Sequence, residues 1–247
     1  MLLGMALSLL AVTSVSALEQ RVITSRYRLA PGGALSVENV QGGIEVEGWD
    51  RAEVEVTITK TASSALDLLD DVRIVVESSD RALAFHTLCP QDSDEPVKVD
   101  YRLRVPRQLR LERLRTVYGN IKVRDIEGAA DLRSLNGSIE AEEFTGRLAA
   151  RAVNGNVVAS LRALPDSATP LDLETLSGNL YLLLPARANA DLEVSTVAGK
   201  IESDYVFQTS AAPGDNTRRA RLGRGGPRLR LRTVRGNVRV GEREDVL

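Results

Sequence analysis

The sequence is poor in the residue types on which most metal, redox and aromatic binding sites depend. Its 247 residues include 1 Cys, 1 His, 2 Met and 9 aromatic residues (1 Trp, 5 Tyr and 3 Phe). A structural zinc site needs about four Cys or His ligands, and a disulfide framework needs paired Cys, so both are excluded. A carbohydrate groove built on aromatic platforms also has little material. Because 43% of the chain is still hydrophobic, we expect an aliphatic core.

The charge balance selects no class of partner. The chain has 32 basic and 34 acidic residues, a formal net charge of −2, and only four of the basic residues are Lys. At 27% charged residues, without long blocks of one sign, the composition is that of a folded protein.

The first 17 residues, MLLGMALSLLAVTSVSA, carry no charge. The apolar run is shorter than the roughly 20 residues that span a bilayer. In Val15-Ser16-Ala17 the small Ala17 and the aliphatic Val15 stand where signal peptidase accepts such residues, although a basic residue before the run is missing. We therefore predict a signal peptide over 1–17, the alternative being a buried first strand or helix. The mature chain is then exported, periplasmic or extracellular, with no later segment that could cross a membrane.

A six-residue pattern with an internal glycine recurs seven times along the chain. Its positions read small or Thr, Val or Leu, any residue, Gly, small or polar, and aliphatic. The glycines are spaced by 77, 18, 18, 23, 21 and 37 residues. The two spacings of 18 set the unit, and the larger values indicate an insertion or a degenerate unit. The turn glycines are Gly42, Gly119, Gly137, Gly155, Gly178, Gly199 and Gly236.

Each unit predicts strand, turn, strand, turn. Glycine permits a tight turn, and apolar and polar residues alternate on either side of it, as in a strand. A unit of 18 residues cannot bury its apolar side alone, whereas stacked units can, each adding about 4.8 Å. Equivalent positions then stack into ladders. We expect one ladder of Thr116, Ser134, Thr175, Thr196 and Thr233, and another of Asn120, Asn156, Asn179 and Asn237.

The fold class expected is all-β: a single-stranded β-solenoid, interpreted as a right-handed β-helix, with a flatter N-terminal β section. The alternatives are a sandwich of β-hairpins and a left-handed hexapeptide helix, whose strict six-residue grid this sequence does not keep. Residues 18–106 form the N-terminal section, with strands at 53–59, 72–76 and 97–105 and a short helix within 62–71. Residues 107–247 form the narrow coils of the same domain.

The whole order of motifs resembles the bacterial putative-adhesin, or "toast-rack", family of β-solenoid domains. The similarity rests on VENVQGGIEVEGWD at 37–50, LRVP at 103–106, the Thr-Val-x-Gly-Asn-Ile coils, and the closing segment at 223–238. It covers nearly all of the mature chain. The resemblance implies an exported or envelope-associated β-helix without catalytic residues.

Three patterns could carry chemistry, and each has a plainer interpretation. His86 and Cys89 have the spacing of a base and a nucleophile, but a structural His beside a buried Cys is favoured. The loop Asp92-Ser93-Asp94-Glu95 could hold Ca²⁺ weakly, but it lacks a known calcium motif. The coil carboxylates do not recur at matching positions, as a polysaccharide-cleaving site would require, so a solvated face is favoured. We predict no catalytic residue, metal or cofactor.

Arginine is concentrated near the C-terminus, with nine between 218 and 239. Four of them, Arg218, Arg219, Arg221 and Arg224, lie in a Pro- and Gly-rich insertion at 211–227 that we interpret as a mobile loop. Guanidinium groups suit phosphate, sulfate and carboxylate, so these four are a candidate polyanion site, for an anionic polysaccharide or lipid headgroup. The plainer interpretation is a surface on which acids balance the arginines. Nucleic acid is not expected as a partner, because no stacking platform is present.

The leading functional hypothesis is a non-enzymatic, adhesin-like binding or scaffold protein of the cell envelope. An envelope-stress scaffold is one alternative, and a carbohydrate-active β-helix enzyme is another. A solenoid has open ends, so end-to-end self-association is expected unless the N-terminal section and the acidic tail at 241–247 cap them.

Overall fold

A computed structural model describes residues 19–62, 67–90, 97–164, 170–209 and 217–243. The predicted signal peptide, the loop at 92–95 and the last four residues lie outside these ranges. Within them the chain forms twenty strands and one short helix. In chain order they are β1 (Glu19–Arg28), β2 (Ala34–Gln41), β3 (Ile44–Trp49), β4 (Glu53–Ala62), α1 (Asp67–Asp71), β5 (Arg73–Ser78), β6 (Ala82–Leu88), β7 (Lys98–Pro106), β8 (Gln108–Tyr118), β9 (Ile121–Arg124), β10 (Glu127–Asn136), β11 (Ile139–Asn154), β12 (Val157–Ala163), β13 (Leu171–Ser177), β14 (Leu180–Leu184), β15 (Ala190–Ala198), β16 (Ile201–Ser203), β17 (Gln208–Thr209), β18 (Thr217–Leu222), β19 (Arg228–Arg235) and β20 (Val238–Glu242).

The strands of the described residues form eight stacked coils, each contributing one parallel strand to each of two sheets. The long-strand sheet runs β6–β2–β8–β10–β11–β13–β19–β15. The short-strand sheet runs β7–β3–β9–β11–β12–β14–β20–β16. The long strand β11 bends and serves both sheets. The all-β solenoid prediction is confirmed, and the handedness of the coil stays a prediction.

The core lies between the two sheets and is aliphatic, as expected. Buried and outward residues alternate along the strands, so that Leu132 of β10 and Ile139 of β11 are inaccessible to solvent. Fully burying one such side chain contributes about 1.5–3 kcal/mol before the loss of conformational entropy is counted. Phe144 is a large ring inside the regular coils. Two other buried rings, Phe85 and Tyr101, pack against each other in the outermost coil, β6–β7.

The turn glycines form the corner between the sheets, and close contact between coils explains their identity. A Cβ on Gly137 would overlap the carbonyl oxygen of Gly119, and the other six glycines meet a backbone carbonyl in the same way. The ladder of backbone hydrogen bonds also continues through the corner. The amide of Gly137 donates to the carbonyl of Asn154 at 2.9 Å, and that of Gly119 to Asn136 at 3.0 Å.

Stacking order and chain order differ at both ends of the solenoid. The coil β2–β3 lies between β6–β7 and β8–β9, so the glycine spacing of 77 contains a whole coil that lacks the motif. At the other end, β19–β20 lies between β13–β14 and β15–β16, although it follows both in the sequence. The spacing of 21 therefore leads to the last coil, and the spacing of 37 contains β17 and β18 and the return to the coil before it.

Antiparallel strands and one helix cover the N-terminal end. β4 and β1 extend the short-strand sheet beyond β7, and β5 extends the long-strand sheet beyond β6. The strands expected at 53–59, 72–76 and 97–105 correspond to β4, β5 and β7, the last two of which begin one residue later, and α1 lies within the segment expected to be helical. Lys60 of β4 fixes α1, because its Nζ donates to the carbonyls of Leu69 at 3.0 Å and Val72 at 2.5 Å. Burial lowers the pKa of this ammonium group.

The insertion at 211–227 is not simply a loop, which corrects the sequence-based expectation. Residues 211–216 lie outside the described ranges, but Thr217–Leu222 form β18, antiparallel to β15. The reason is that apolar and arginine residues alternate within this arginine-rich segment. Ala220 and Leu222 are buried, while Arg219 and Arg221 point outward to acids on β15. β18 thus covers the C-terminal edge of the long-strand sheet.

Candidate functional site

The His86 and Cys89 pair lacks the geometry of a nucleophile and its base. The Nδ1 atom of His86 lies 3.3 Å from Oε2 of Glu38, on the neighbouring strand. Burial raises the pKa of the Cys89 thiol, which is the opposite of what a reactive thiolate requires. This pair is therefore best described as structural.

The coil carboxylates are held in ion pairs. Glu143 lies 2.9 Å from Arg243 and 3.3 Å from Arg162, and Glu193 contacts both Arg219 and Arg230. Across the part of the chain that is described, no group of three or more His, Cys, Asp or Glu side chains could hold a metal ion.

The outer surface of the short-strand sheet is a ladder of opposite charges. Glu55, Arg104, Glu47, Arg124 and Glu142 follow one another across β4, β7, β3, β9 and β11. Oppositely charged atoms lie 3.9 Å apart for Arg104 and Glu55 and 3.8 Å apart for Arg104 and Glu47, and Arg124 is hydrogen-bonded to Glu142. A second ladder beside it contains Arg102–Glu45 at 3.1 Å and Lys122–Glu140 at 2.9 Å. On this face charges largely neutralise one another.

On the long-strand sheet, the repeat places its hydroxyl inside and its aliphatic residue outside. The five hydroxyl residues of the predicted ladder are buried. Each donates to the carbonyl of a turn glycine in an adjacent coil, for example Thr175 to Gly155 at 2.8 Å and Thr233 to Gly178 at 3.0 Å. Because side chains alternate along a strand, the Val or Leu that follows each hydroxyl faces solvent. The Asn side chains after the glycines link the coils too; Asn156 Oδ1 accepts from the Asn179 amide at 2.9 Å.

These outward residues form a continuous line that we call the aliphatic row. The strand register places one of them on each of seven coils, about 4.8 Å apart and roughly 29 Å from first to last. Five are 39–71% exposed, and Val117 and Val153 are half-buried. In stacking order the row is Val40, Val117, Leu135, Val153, Leu176, Val234 and Val197.

Arginines lie beside this row on four of its seven strands, two residues earlier in the sequence. The same register aligns Arg115, Arg133, Arg151 and Arg232, which we call the arginine border, together with Glu38 and Glu174. Arg133 and Arg151 have acidic partners on their own face. Within the described ranges, Arg115 and Arg232 form no ion pair, and the Arg115 Nε is buried without a hydrogen-bond partner. On the far side of the row, Arg235 bonds only a hydroxyl, that of Ser177 at 2.7 Å.

The family of the chain is shown by a profile match. The family described as Toastrack DUF4097 matches residues 23–241, nearly the whole described chain. The chain belongs to this family. A comparison with curated proteins gives no match.

Solved structures support the toastrack fold. A "putative cell adhesion protein" from Clostridium sporogenes has a TM-score of 0.52 and 10% identity, covering 90% of this chain and 100% of its own. A "putative adhesin" from Bacteroides fragilis has a TM-score of 0.37 and 12% identity, covering 90% and 97%. A "putative lipid binding protein" from Parabacteroides distasonis has a TM-score of 0.27 and 10% identity, with the same coverage. Only the first score is high enough to support a shared fold.

The four arginines predicted as a polyanion site are not gathered into one cluster of free groups. Arg219 Nε lies 3.3 Å from Glu193, and Arg221 Nε lies 3.2 Å from Asp191. Arg218 reaches toward the carbonyl of Ile201, and Arg224 follows β18. In this toastrack domain the polyanion site stays a prediction, with two of its members already neutralised.

Sequence reasoning missed the aliphatic row although the repeat contains it. The alternation of Thr and Val in each copy shows that one of them faces the core and the other faces solvent. Because Val is the more apolar of the two, polarity alone would place Val inside and Thr outside. The turn glycines decide which residue is inside, because their backbone carbonyls can accept a hydrogen bond from a buried hydroxyl group. The toastrack domain has no helix, within the described ranges, that could span a membrane.

Proposed function

We propose that this toastrack protein is an exported, non-enzymatic binding or scaffold protein of the cell envelope, and that the long-strand face is its binding surface. The observation that carries the proposal is the aliphatic row. Seven coils repeat the same outward Val or Leu beside the same corner, whereas solvation alone would favour polar residues there. Contiguous exposed apolar surface in a folded protein marks an interaction site.

Two further observations support a binding role. The His, Cys and carboxylate groups that could act in catalysis are engaged in structural contacts. The similar solved structure from Clostridium sporogenes is named a putative cell adhesion protein, and adhesion is a function that a repetitive surface can serve. Export rests on the apolar segment at 1–17.

The proposal is tested in the organism that encodes the protein. The deletion strain is complemented with the full-length chain or with either of two triple variants. The row variant is Leu135→Ser, Leu176→Ser and Val197→Ser. The control variant changes the other face: Val158→Ser, Tyr181→Ser and Leu183→Ser.

Fractionation should place the tagged protein outside the cytoplasm. Deletion should impair surface attachment or tolerance of envelope damage, and the control variant, but not the row variant, should restore it. A cytoplasmic location would contradict the proposal, as would full restoration by the row variant.

A further inference from the structure

We infer that the aliphatic row and its arginine border dock this protein onto an anionic lipid surface, with the long-strand face against the headgroups. The inference rests on the proposed binding role of that face and names its partner. It draws on the shape of the row, on the charges beside it, and on the size of the contact.

The shape of the row suits a planar partner. Its members lie on one sheet at equivalent positions, and side chains that are 39–71% exposed stand above the surface. A single fatty acid or other small apolar ligand would instead need a concave site that encloses it. A line of seven such side chains on one sheet face, about 29 Å long, offers a leaflet several contacts at once.

The charges beside the row suit an anionic headgroup. The neighbouring line contains four Arg, two Glu and one Ser. Arg115 and Arg232 form no ion pair within the described ranges, and Arg235 donates to a hydroxyl alone. Guanidinium forks bind phosphate well, and long basic side chains can reach the headgroup level while apolar neighbours contact the acyl boundary.

A second copy of the chain fits this surface less well. A stable protein interface uses roughly 20–30 residues a side, whereas the row offers seven narrow side chains. Two copies packed row to row would place the arginine border opposite either another arginine border or the line of Asn136, Asn154 and Ser177. The first arrangement would face four arginines with only two acids, Glu38 and Glu174, and the second would face them with none.

The test measures binding of the full chain to vesicles. Vesicles of phosphatidylglycerol and phosphatidylcholine are compared with vesicles of phosphatidylcholine alone by co-sedimentation in low salt. Because charge attracts the protein and screening weakens that attraction, we expect binding at least about tenfold stronger to the anionic vesicles, and a loss of it in 0.5 M salt.

Two variants separate the apolar and the charged contributions. The row variant should weaken binding to anionic vesicles about tenfold, because it removes the aliphatic contact, while the control variant changes it less than about twofold. The variant Arg115→Gln, Arg232→Gln and Arg235→Gln should reduce binding by a similar factor. All altered side chains are wholly or partly exposed, and thermal unfolding monitored by circular dichroism verifies that each variant is folded.

Several outcomes would overturn the inference. The inference is wrong if the native chain does not bind anionic vesicles, or if the row and control variants bind them equally. It is also wrong if the arginines govern retention on heparin while no vesicle binding occurs. Light scattering that shows a dimer for the native chain and a monomer for the row variant would assign the surface to a second copy. In any of these cases the envelope role remains testable through the complementation experiment, which does not depend on lipid.

Discussion

The two outer faces of the solenoid are made by the same repeat but differ in how their side chains are satisfied. On the short-strand face, cations and carboxylates alternate across neighbouring strands and pair with each other. On the long-strand face, a line of Val and Leu lies exposed beside arginines, two of which have no acidic partner within the described residues. On the first face the described charges are largely paired, and the exposed apolar side chains of its coils, Tyr181 and Leu183, lie on the single strand β14 and form no line across the coils. The second leaves apolar surface and hydrogen-bond donors available, so we place binding there.

The largest expected loss of stability comes from substituting a turn glycine at the corner between the two sheets, because both faces depend on this corner. In Gly137→Ala, the new methyl group would overlap the carbonyl of Gly119, so the two coils must move apart. We expect a loss of about 4 kcal/mol or more in the free energy of unfolding, measured with urea. The matched control is Gly32→Ala, at a left-handed turn with φ of 77° and no atom near the added Cβ, which should cost about 1 kcal/mol. Equal losses would show that close contact between coils is unimportant.

The next largest loss of stability distinguishes a core-facing from a solvent-facing residue on the same long strand. Leu132 and Leu135 lie three residues apart on β10, the first inaccessible and the second 44% exposed. Leu132→Ala should cost about 2–5 kcal/mol because it leaves a cavity. Leu135→Ala should change stability by less than about 0.5 kcal/mol, as surface substitutions do. If Leu135→Ala were the more damaging change, the row would be part of the core and not a binding surface.

The smallest expected change in stability comes from removing one carboxylate from either face, and vesicle binding then distinguishes the two faces. Glu47→Gln removes a carboxylate from the short-strand ladder, and Glu174→Gln removes one that lies 3.5 Å from Arg151 beside the aliphatic row. Each should cost at most about 0.5 kcal/mol in low salt, and the cost should disappear in 1 M salt. Glu174→Gln alone should strengthen binding to anionic vesicles, by about twofold, because it makes the long-strand face more positive. The same gain with Glu47→Gln would mean that net charge, and not this face, governs the interaction.

Much of the fold could be predicted from the repeat because its causes are local. The turn glycines, the Thr ladder and the Asn ladder each follow from one coil contacting the next at the same position. The strand β18 could not be predicted, since it forms by pairing with the distant strand β15, whose Asp191 and Glu193 contact its arginines. The order of stacking also depends on long-range pairing. For the binding surface, the sequence shows that Thr and Val alternate, but only the Gly155 carbonyl that Thr175 contacts shows which of them is inside.

The insertion of β19–β20 between two earlier coils also constrains the order of assembly during synthesis. Residues 190–203 leave the ribosome before 228–242, yet the coil they form packs on the later segment and not on the one before it. Until β19 and β20 are made, this coil has no other coil on which to stack, and the edges of β13 and β14 that later pair with β19 and β20 stay unpaired. Most of the solenoid can form coil by coil as the chain is made, but this end closes only after residues 228–242 are available.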